Sequence, residues 1–174
     1  MAIAYFTLQV RTRREDRYLQ LADPMVQAAD GRLFWPRRSL RIRRKGKWKD
    51  VKAPIFPGYL FLEVDAISPD LYWGLRRIPG FLRFLKDNQN IVPLPDRDAQ
   101  ILRNLLQFGE VVEKSTAMFD ENNRIRILEG PLSGLEGRIV KVDRRKGRAK
   151  IRLDLYEEFY LVDFGFQSIA KTPN

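Results

Sequence analysis

Residues 54–64 read Pro54-Ile55-Phe56-Pro57-Gly58-Tyr59-Leu60-Phe61-Leu62-Glu63-Val64. The two prolines and the glycine predict a bend, and the six residues after the glycine predict a β-strand whose side chains alternate between two faces. One face carries Leu60, Leu62 and Val64, which we expect to be core. The other carries the rings of Tyr59 and Phe61. This second face is either a second buried face, as in sandwiched strands, or an aromatic surface.

Composition and charge limit the possible functions. The 174 residues are 44% apolar and 31% charged, which is typical of one globular domain or two small ones. The chain contains no cysteine and no histidine, so a disulfide framework and most zinc chemistry are excluded. No apolar run approaches the roughly 20 residues of a membrane span, and the opening residues lack a signal-peptide pattern. We expect a cytoplasmic protein without a membrane partner. Its net charge of +10 predicts a polyanionic partner.

Catalysis would depend on carboxylates alone. Asp96 and Asp98 form one candidate pair and Glu157 and Glu158 another, but the first pair lies at a predicted helix start, where acids interact favourably with the helix dipole. The glycines between residues 130 and 137 lack the lysine and the Ser or Thr of a phosphate-binding loop. We predict no enzymatic activity, no cofactor and no metal.

A block of cations between residues 33 and 52 predicts a basic hairpin. The alternation in residues 40–43 indicates a strand, and Lys45-Gly46-Lys47 is typical of a hairpin tip. Protection of a sheet edge by lysines is the alternative, but it needs only one or two charges. This segment has nine cations and a single acid, Asp50. We predict contacts with phosphates, and Trp48 is available to stack on a base. The nucleic-acid-binding residues predicted here are Arg41, Arg43, Arg44, Lys45 and Lys47.

The other N-terminal segments alternate between strands and helices. Residues 4–10 predict a strand, and residues 16–29 predict an amphipathic helix that Pro24 would kink or delay. Ser68 and Pro69 are typical of a helix start. A strand at 81–85 and a helix beginning near Pro95 follow, and the helix is predicted to carry an apolar stripe of Ile101, Leu102, Leu105 and Leu106. This alternation predicts an α/β or α+β sandwich.

The chain changes character after residue 123. Short alternating strands at residues 124–128, 137–142, 148–153 and 159–164 are separated by glycine-containing turns, which is typical of a small β-barrel. Residues 111–122 lack sustained periodicity and are predicted to be a linker. The predicted domains are therefore residues 1–110 and residues 123–174.

A second cluster of cations lies in the predicted turn Arg144-Arg145-Lys146-Gly147-Arg148. A turn whose charges merely aid solubility is the alternative. In favour of binding, glycine lets the backbone approach a phosphate, and alternate cations on the next strand would form a stripe suited to the backbone of an RNA duplex. We predict that a structured leader hairpin of nascent RNA binds Lys141, Arg144, Arg145, Lys146, Arg148, Lys150 and Arg152.

Two motifs resemble those of one family. Phe56-Pro57-Gly58-Tyr59 followed by Ile78-Pro79-Gly80-Phe81 is similar to the N-terminal domain of NusG-type transcription elongation and antitermination factors. Residues 124–140 resemble the KOW motif in order and glycine spacing. The two motifs occur in the family's order and at its separation. The resemblance implies an α+β fold with an N-terminal α/β sandwich followed by a five-stranded SH3-like β-barrel.

The resemblance also implies partners. It implies a monomer that docks on the RNA polymerase clamp through an exposed aromatic patch and promotes processive transcription of selected operons. The alternative is a KOW-containing RNA-binding or ribosome-associated module that does not bind polymerase, which would have no need of the aromatic bend. The residues that match the polymerase-binding pocket are Tyr5, Phe6, Phe56, Pro57, Gly58, Tyr59 and Phe61.

Departures from the family pattern predict a specialised paralogue of the LoaP or RfaH kind. The general factor contacts a ribosomal protein and the termination factor Rho through an Ile-Phe-Gly-Arg turn. This chain has Leu155-Tyr156-Glu157-Glu158 there, and the reversed charge at Glu158 disfavours both contacts. Leu71-Tyr72-Trp73 also departs from the polar motif by which RfaH reaches across the polymerase cleft, so we do not expect that closure here.

Overall fold

The computed structural model describes residues 3–170. The chain folds into two compact units. The first unit takes in the chain up to Pro36 and again from Phe56 to Ile101, and the second takes in Arg37–Ile55 and the chain from Leu102 onward. The basic hairpin thus groups with the C-terminal part of the chain. This grouping differs from the division predicted at residues 111–122, and the domain boundaries stay a prediction.

The first unit is built on a four-stranded antiparallel sheet. The strands, in spatial order, are β2 (Arg32–Phe34), β5 (Tyr59–Val64), β1 (Ala4–Val10) and β6 (Phe81–Phe84). The predicted strands at 4–10 and 59–64 are confirmed with the same bounds. Phe61 lies opposite both Thr7 and Phe34, so β5 is paired on both sides.

One face of this sheet packs against two helices, α1 (Glu15–Ala28) and α2 (Pro69–Arg77). The predicted start of α2 is confirmed, because the Leu71 N–H donates to the Ser68 hydroxyl at 3.2 Å. The predicted late start of α1 is wrong, because the helix begins at Glu15. The helix runs through Pro24, which lies on its exposed side.

The second unit contains a five-stranded sheet, which confirms the predicted small β architecture. The strands, in spatial order, are β10 (Ile139–Asp143), β11 (Arg148–Leu155), β12 (Glu158–Ser168), β8 (Ser115–Phe119) and β9 (Ile125–Glu129). A 3-10 turn at Glu136–Arg138 replaces the predicted beginning of the strand at 137–142. Ala149, Ile151 and Leu153 alternate along β11 and are fully buried, as expected for the inward face.

The basic hairpin forms a three-stranded sheet of its own. β3 (Arg37–Arg44) pairs with β4 (Lys47–Pro54) on one side and with the short parallel strand β7 (Val111–Val112) on the other. The predicted hairpin tip is confirmed as a two-residue turn, with positive φ angles of 51° at Lys45 and 76° at Gly46. Because β7 and β8 fall within 111–122, the predicted linker takes part in two sheets.

The boundary between the two units falls within the third helix, α3 (Asp96–Leu106), between Ile101 and Leu102. Its predicted apolar stripe is confirmed in part. Leu102 and Leu105 are buried, whereas Ile101 and Leu106 are only half-buried.

Candidate nucleic-acid interface and aromatic bend

The bend before β5 is fixed by a buried carboxylate. The Gly58 N–H donates to Glu15 Oε1 at 2.9 Å, and the Gly58 carbonyl accepts the N–H of Val10 at 2.7 Å. Glu15 is only 2% exposed. Sequence reasoning missed this role, because an acid in the first turn of a helix is ordinarily explained by the helix dipole. Gly58 itself is buried, so its contribution to the bend is structural.

The predicted exposed aromatic patch is wrong for three of its rings. Tyr5, Phe56 and Phe61 are 7%, 5% and 0% exposed. The rings of Phe56 and Phe61 meet edge-on with their centroids 5.8 Å apart. The ring centroids of Tyr5 and Phe34 are 6.5 Å apart. The second face of β5 is therefore a second buried face, which is the other interpretation that the sequence left open.

The predicted patch is also divided between two faces of the sheet. Phe6 follows Tyr5 in β1 and so points to the opposite face, where it packs against the helix-covered core. Pro57 is exposed and Tyr59 is half-buried. These two residues are what the bend presents at the surface.

A half-open cavity of about 480 Å³ lies beside Phe6. Its apolar lining includes Ile67, Tyr72 and Ile91, and Trp73 at its edge is 50% exposed. The Arg76 guanidinium lies 5.1 Å from the Trp73 ring. The sequence distinguishes residues 71–73 only by their departure from a family motif, so it does not predict this cavity.

The predicted basic turn connects β10 to β11, and Arg144, Arg145 and Lys146 are exposed, whereas Arg148 is half-buried. The Lys146 N–H donates to Asp143 Oδ1 at 2.9 Å, and this hydrogen bond lowers the pKa of Asp143. The Arg144 guanidinium lies 3.9 Å from the centre of the Phe119 ring and donates to Asn123 Oδ1 at 3.2 Å. Arg144 is therefore held in position by a ring and an amide.

The predicted stripe on β11 exists, but its members have different surroundings. Arg148 donates to the backbone oxygen of Arg41 at 2.8 Å and lies 3.9 Å from Asp163. Arg152 stacks on the Phe159 ring at 4.5 Å. Lys150 lies directly opposite Lys141 in the antiparallel pair. Like charges placed opposite each other destabilise a sheet, and a bound anion would relieve this repulsion.

Arg41 brings the two predicted nucleic-acid surfaces together. Its guanidinium stacks on Trp48 at 4.6 Å. It also lines a cleft of about 310 Å³ with Lys114 and the predicted basic turn. The rest of the predicted cations of the hairpin, Arg43, Arg44, Lys45 and Lys47, are exposed.

Arg38 belongs to the cationic block in the sequence, but its side chain donates hydrogen bonds to backbone carbonyls within the protein. Its Nε donates to the Asp163 carbonyl at 2.7 Å, and another of its nitrogens donates to the Pro54 carbonyl. Burial lowers the pKa of Arg38 to about 10, which leaves the guanidinium charged at neutral pH. The side chain thus joins both hairpin strands to β12. Nothing in the local sequence separates it from its exposed neighbours.

Within residues 3–170, no group of three or more Asp and Glu side chains is placed to hold a metal ion. Over the same residues, no helix has both the length and the apolar character needed to cross a bilayer.

Comparison with known proteins assigns the family. A family model described as transcription termination factor nusG matches residues 3–103. The chain is 28% identical over 137 residues to a transcription termination/antitermination protein NusG of Borreliella burgdorferi, covering 74% of this chain and 73% of that protein. The NusG protein of Thermus thermophilus is 27% identical over 138 residues, covering 76% of this chain and 75% of its own length.

A solved structure described as domain interaction in Thermotoga maritima NusG has a TM-score of 0.61 with this chain. The likeness covers 95% of this chain and 94% of that one at 20% identity, and at this identity it concerns the fold. The matched residues 3–103 include the Phe56-Pro57-Gly58-Tyr59 bend and both helices of the first unit. The chain belongs to the NusG family of transcription termination and antitermination proteins.

Proposed function

We propose that this protein is an elongation and antitermination factor that binds RNA polymerase through its N-terminal part and nucleic acid through its basic surfaces. It would act in the cytoplasm as a monomer and promote processive transcription of selected operons. The observation that carries this proposal is the family match over residues 3–103, which contains the rigidly held aromatic bend. The exposed cations of the second unit support the nucleic-acid component.

The proposed polymerase contact is the surface around Pro57 and Tyr59, with the polymerase clamp as its target. Aromatic residues at the centre of an interface commonly supply much of its binding energy. The buried rings of Phe56 and Phe61 would then act by holding this surface in shape. They are unsuitable as tests, because truncating a buried Phe to Ala costs about 3–5 kcal/mol of folding energy.

Capture of purified core RNA polymerase by the full chain tests the proposal. We expect Tyr59→Ala to weaken binding by more than about 1 kcal/mol, as at an interface hot spot. Leu82→Ala is the matched control, because Leu82 is an exposed apolar residue of the same unit outside the proposed contact. Equal affinities for the two variants would reject the contact, and failure of the unmodified chain to bind polymerase would favour the RNA-binding or ribosome-associated module.

We also propose that the protein is a specialised paralogue rather than the general factor. The residues that replace the Rho-contacting turn form the tip between β11 and β12, where Leu155 pairs with Glu158. Glu157 and Glu158 are both exposed there. Glu158 places a carboxylate where the family pattern has an arginine, and this reversed charge disfavours the partners of the general factor.

A further inference from the structure

We propose that the basic hairpin and the turn at residues 144–147 form one groove that binds a single RNA backbone. This inference rests on the proposed nucleic-acid function. From the sequence, the two surfaces are separate candidate sites almost 100 residues apart in the chain. In the structure both belong to the second unit, and Arg41 of the hairpin lines the same cleft as the three cations of the turn.

The charges of the groove come from three parts of the second unit. Arg41 comes from β3, Lys114 precedes β8, and Arg144, Arg145 and Lys146 come from the turn. Lys114 Nζ is paired with Asp50 at 2.5 Å, which leaves the arginines and Lys146 as the principal phosphate ligands. Guanidinium groups suit this role because their planar donor array binds phosphate oxygens in pairs.

Two of these arginines, Arg41 and Arg144, are held in position before any RNA binds. Arg41 is stacked on Trp48 at 4.6 Å, and Arg144 is stacked on Phe119 at 3.9 Å. A stacked guanidinium loses less conformational freedom when it binds, so each contact costs less. Both stacks leave the arginines in the cleft, where they face the same ligand.

Arg148 fixes the distance between the two surfaces. Its guanidinium comes from the strand after the basic turn and donates to the backbone oxygen of Arg41 at 2.8 Å. Arg38 supports the same junction through the Asp163 carbonyl. We therefore assign Arg148 a positioning role within the groove, in place of the direct RNA contact predicted from the sequence.

The neutral residues of the groove favour RNA over DNA. Gln167 and Ser168 line the cleft beside the cations and are exposed. Their amide and hydroxyl groups can donate to and accept from a ribose 2′-hydroxyl, the group that distinguishes RNA from DNA at a contact. Cations alone would bind either nucleic acid.

Salt-series titrations of the full chain with a short RNA hairpin, together with calorimetric stoichiometry, test the single groove. We expect one RNA per chain. Arg41→Gln and Lys146→Gln should each reduce the slope of log K against log salt by roughly 0.7–0.9 for one lost phosphate contact. Arg103→Gln is the charge-matched control, because Arg103 is an exposed residue of the same unit that does not line the cleft.

Two RNAs per chain, or a slope that falls for only one of the two groove variants, would overturn the single groove while leaving RNA binding in place. No RNA binding by the unmodified chain would instead reject the proposed nucleic-acid function itself. Circular dichroism of each variant establishes that it is folded.

A DNA hairpin of the same sequence tests the choice of RNA. The double variant Gln167→Ala, Ser168→Ala should lose about 2- to 10-fold in affinity for RNA, as expected for lost hydrogen bonds, and little for DNA. An equal loss for both nucleic acids, or no loss for RNA, would overturn the assignment of the ribose contact.

Discussion

The backbone of Gly58 is held from both sides, by the Glu15 carboxylate and by the Val10 N–H. Its φ angle is +82°, and a Cβ placed there would lie 3.1 Å from the Val10 carbonyl oxygen. We expect Gly58→Ala to lower the free energy of unfolding by more than about 1 kcal/mol, since left-handed backbone strain and a steric contact act together. Chemical denaturation measures this loss.

Gly134 provides the control for Gly58, because it has the same φ of +82° and open space where a Cβ would lie. Gly134→Ala tests the backbone strain alone. It should lower the free energy of unfolding of the second unit by less than Gly58→Ala lowers that of the first unit. Equal losses would mean that the steric contact between a Cβ at residue 58 and the Val10 carbonyl oxygen adds nothing to the destabilisation.

At the scale of elements, one hydrogen bond joins α1 to α2. The fully buried Tyr18 donates its hydroxyl to the Leu75 carbonyl at 2.7 Å, and burial raises the pKa of Tyr18. The folded state thus favours the neutral phenol, and its stability falls as the pH rises above 10, the ordinary value for tyrosine. Below that pH this contribution is fully present.

Tyr18→Phe should therefore have two effects. It should lower the free energy of unfolding at neutral pH by about 0.5–1.5 kcal/mol through the lost hydrogen bond. It should also remove the part of the stability loss at alkaline pH that is due to Tyr18, which is up to about 1.4 kcal/mol per pH unit. Unfolding curves of both proteins from about pH 8 to about pH 11 measure the difference, and parallel pH profiles would contradict the assignment to Tyr18.

Most elements could be predicted from the sequence because their signals are local. The alternation in β5, the Ser68 cap and the Lys45-Gly46 turn each depend on a few consecutive residues, and the structure confirms all three. The site was less predictable. Whether Phe61 is exposed, or whether Arg38 points inward, depends on partners far along the chain, and periodicity alone does not specify them.

At the scale of the whole molecule, the tip between β11 and β12 bears on the choice of partners. Its exposed carboxylates repel a surface complementary to an arginine, so we expect titration with purified Rho to give weak or no binding. Glu158→Arg restores the family's charge and should strengthen any residual binding. Tight Rho binding by the unmodified chain would contradict the proposal of a specialised paralogue.

The grouping of the basic hairpin with the second unit has a consequence for synthesis on the ribosome. Arg38 leaves the ribosome 125 residues before Asp163, whose carbonyl it contacts in the folded protein. At about 5–20 residues per second, the hairpin waits on the order of 10 s for β12. During that interval the hairpin lacks its contact with β12, and an isolated two-stranded hairpin is at best marginally stable in water. Chain elongation thus sets the time at which the proposed groove can be completed.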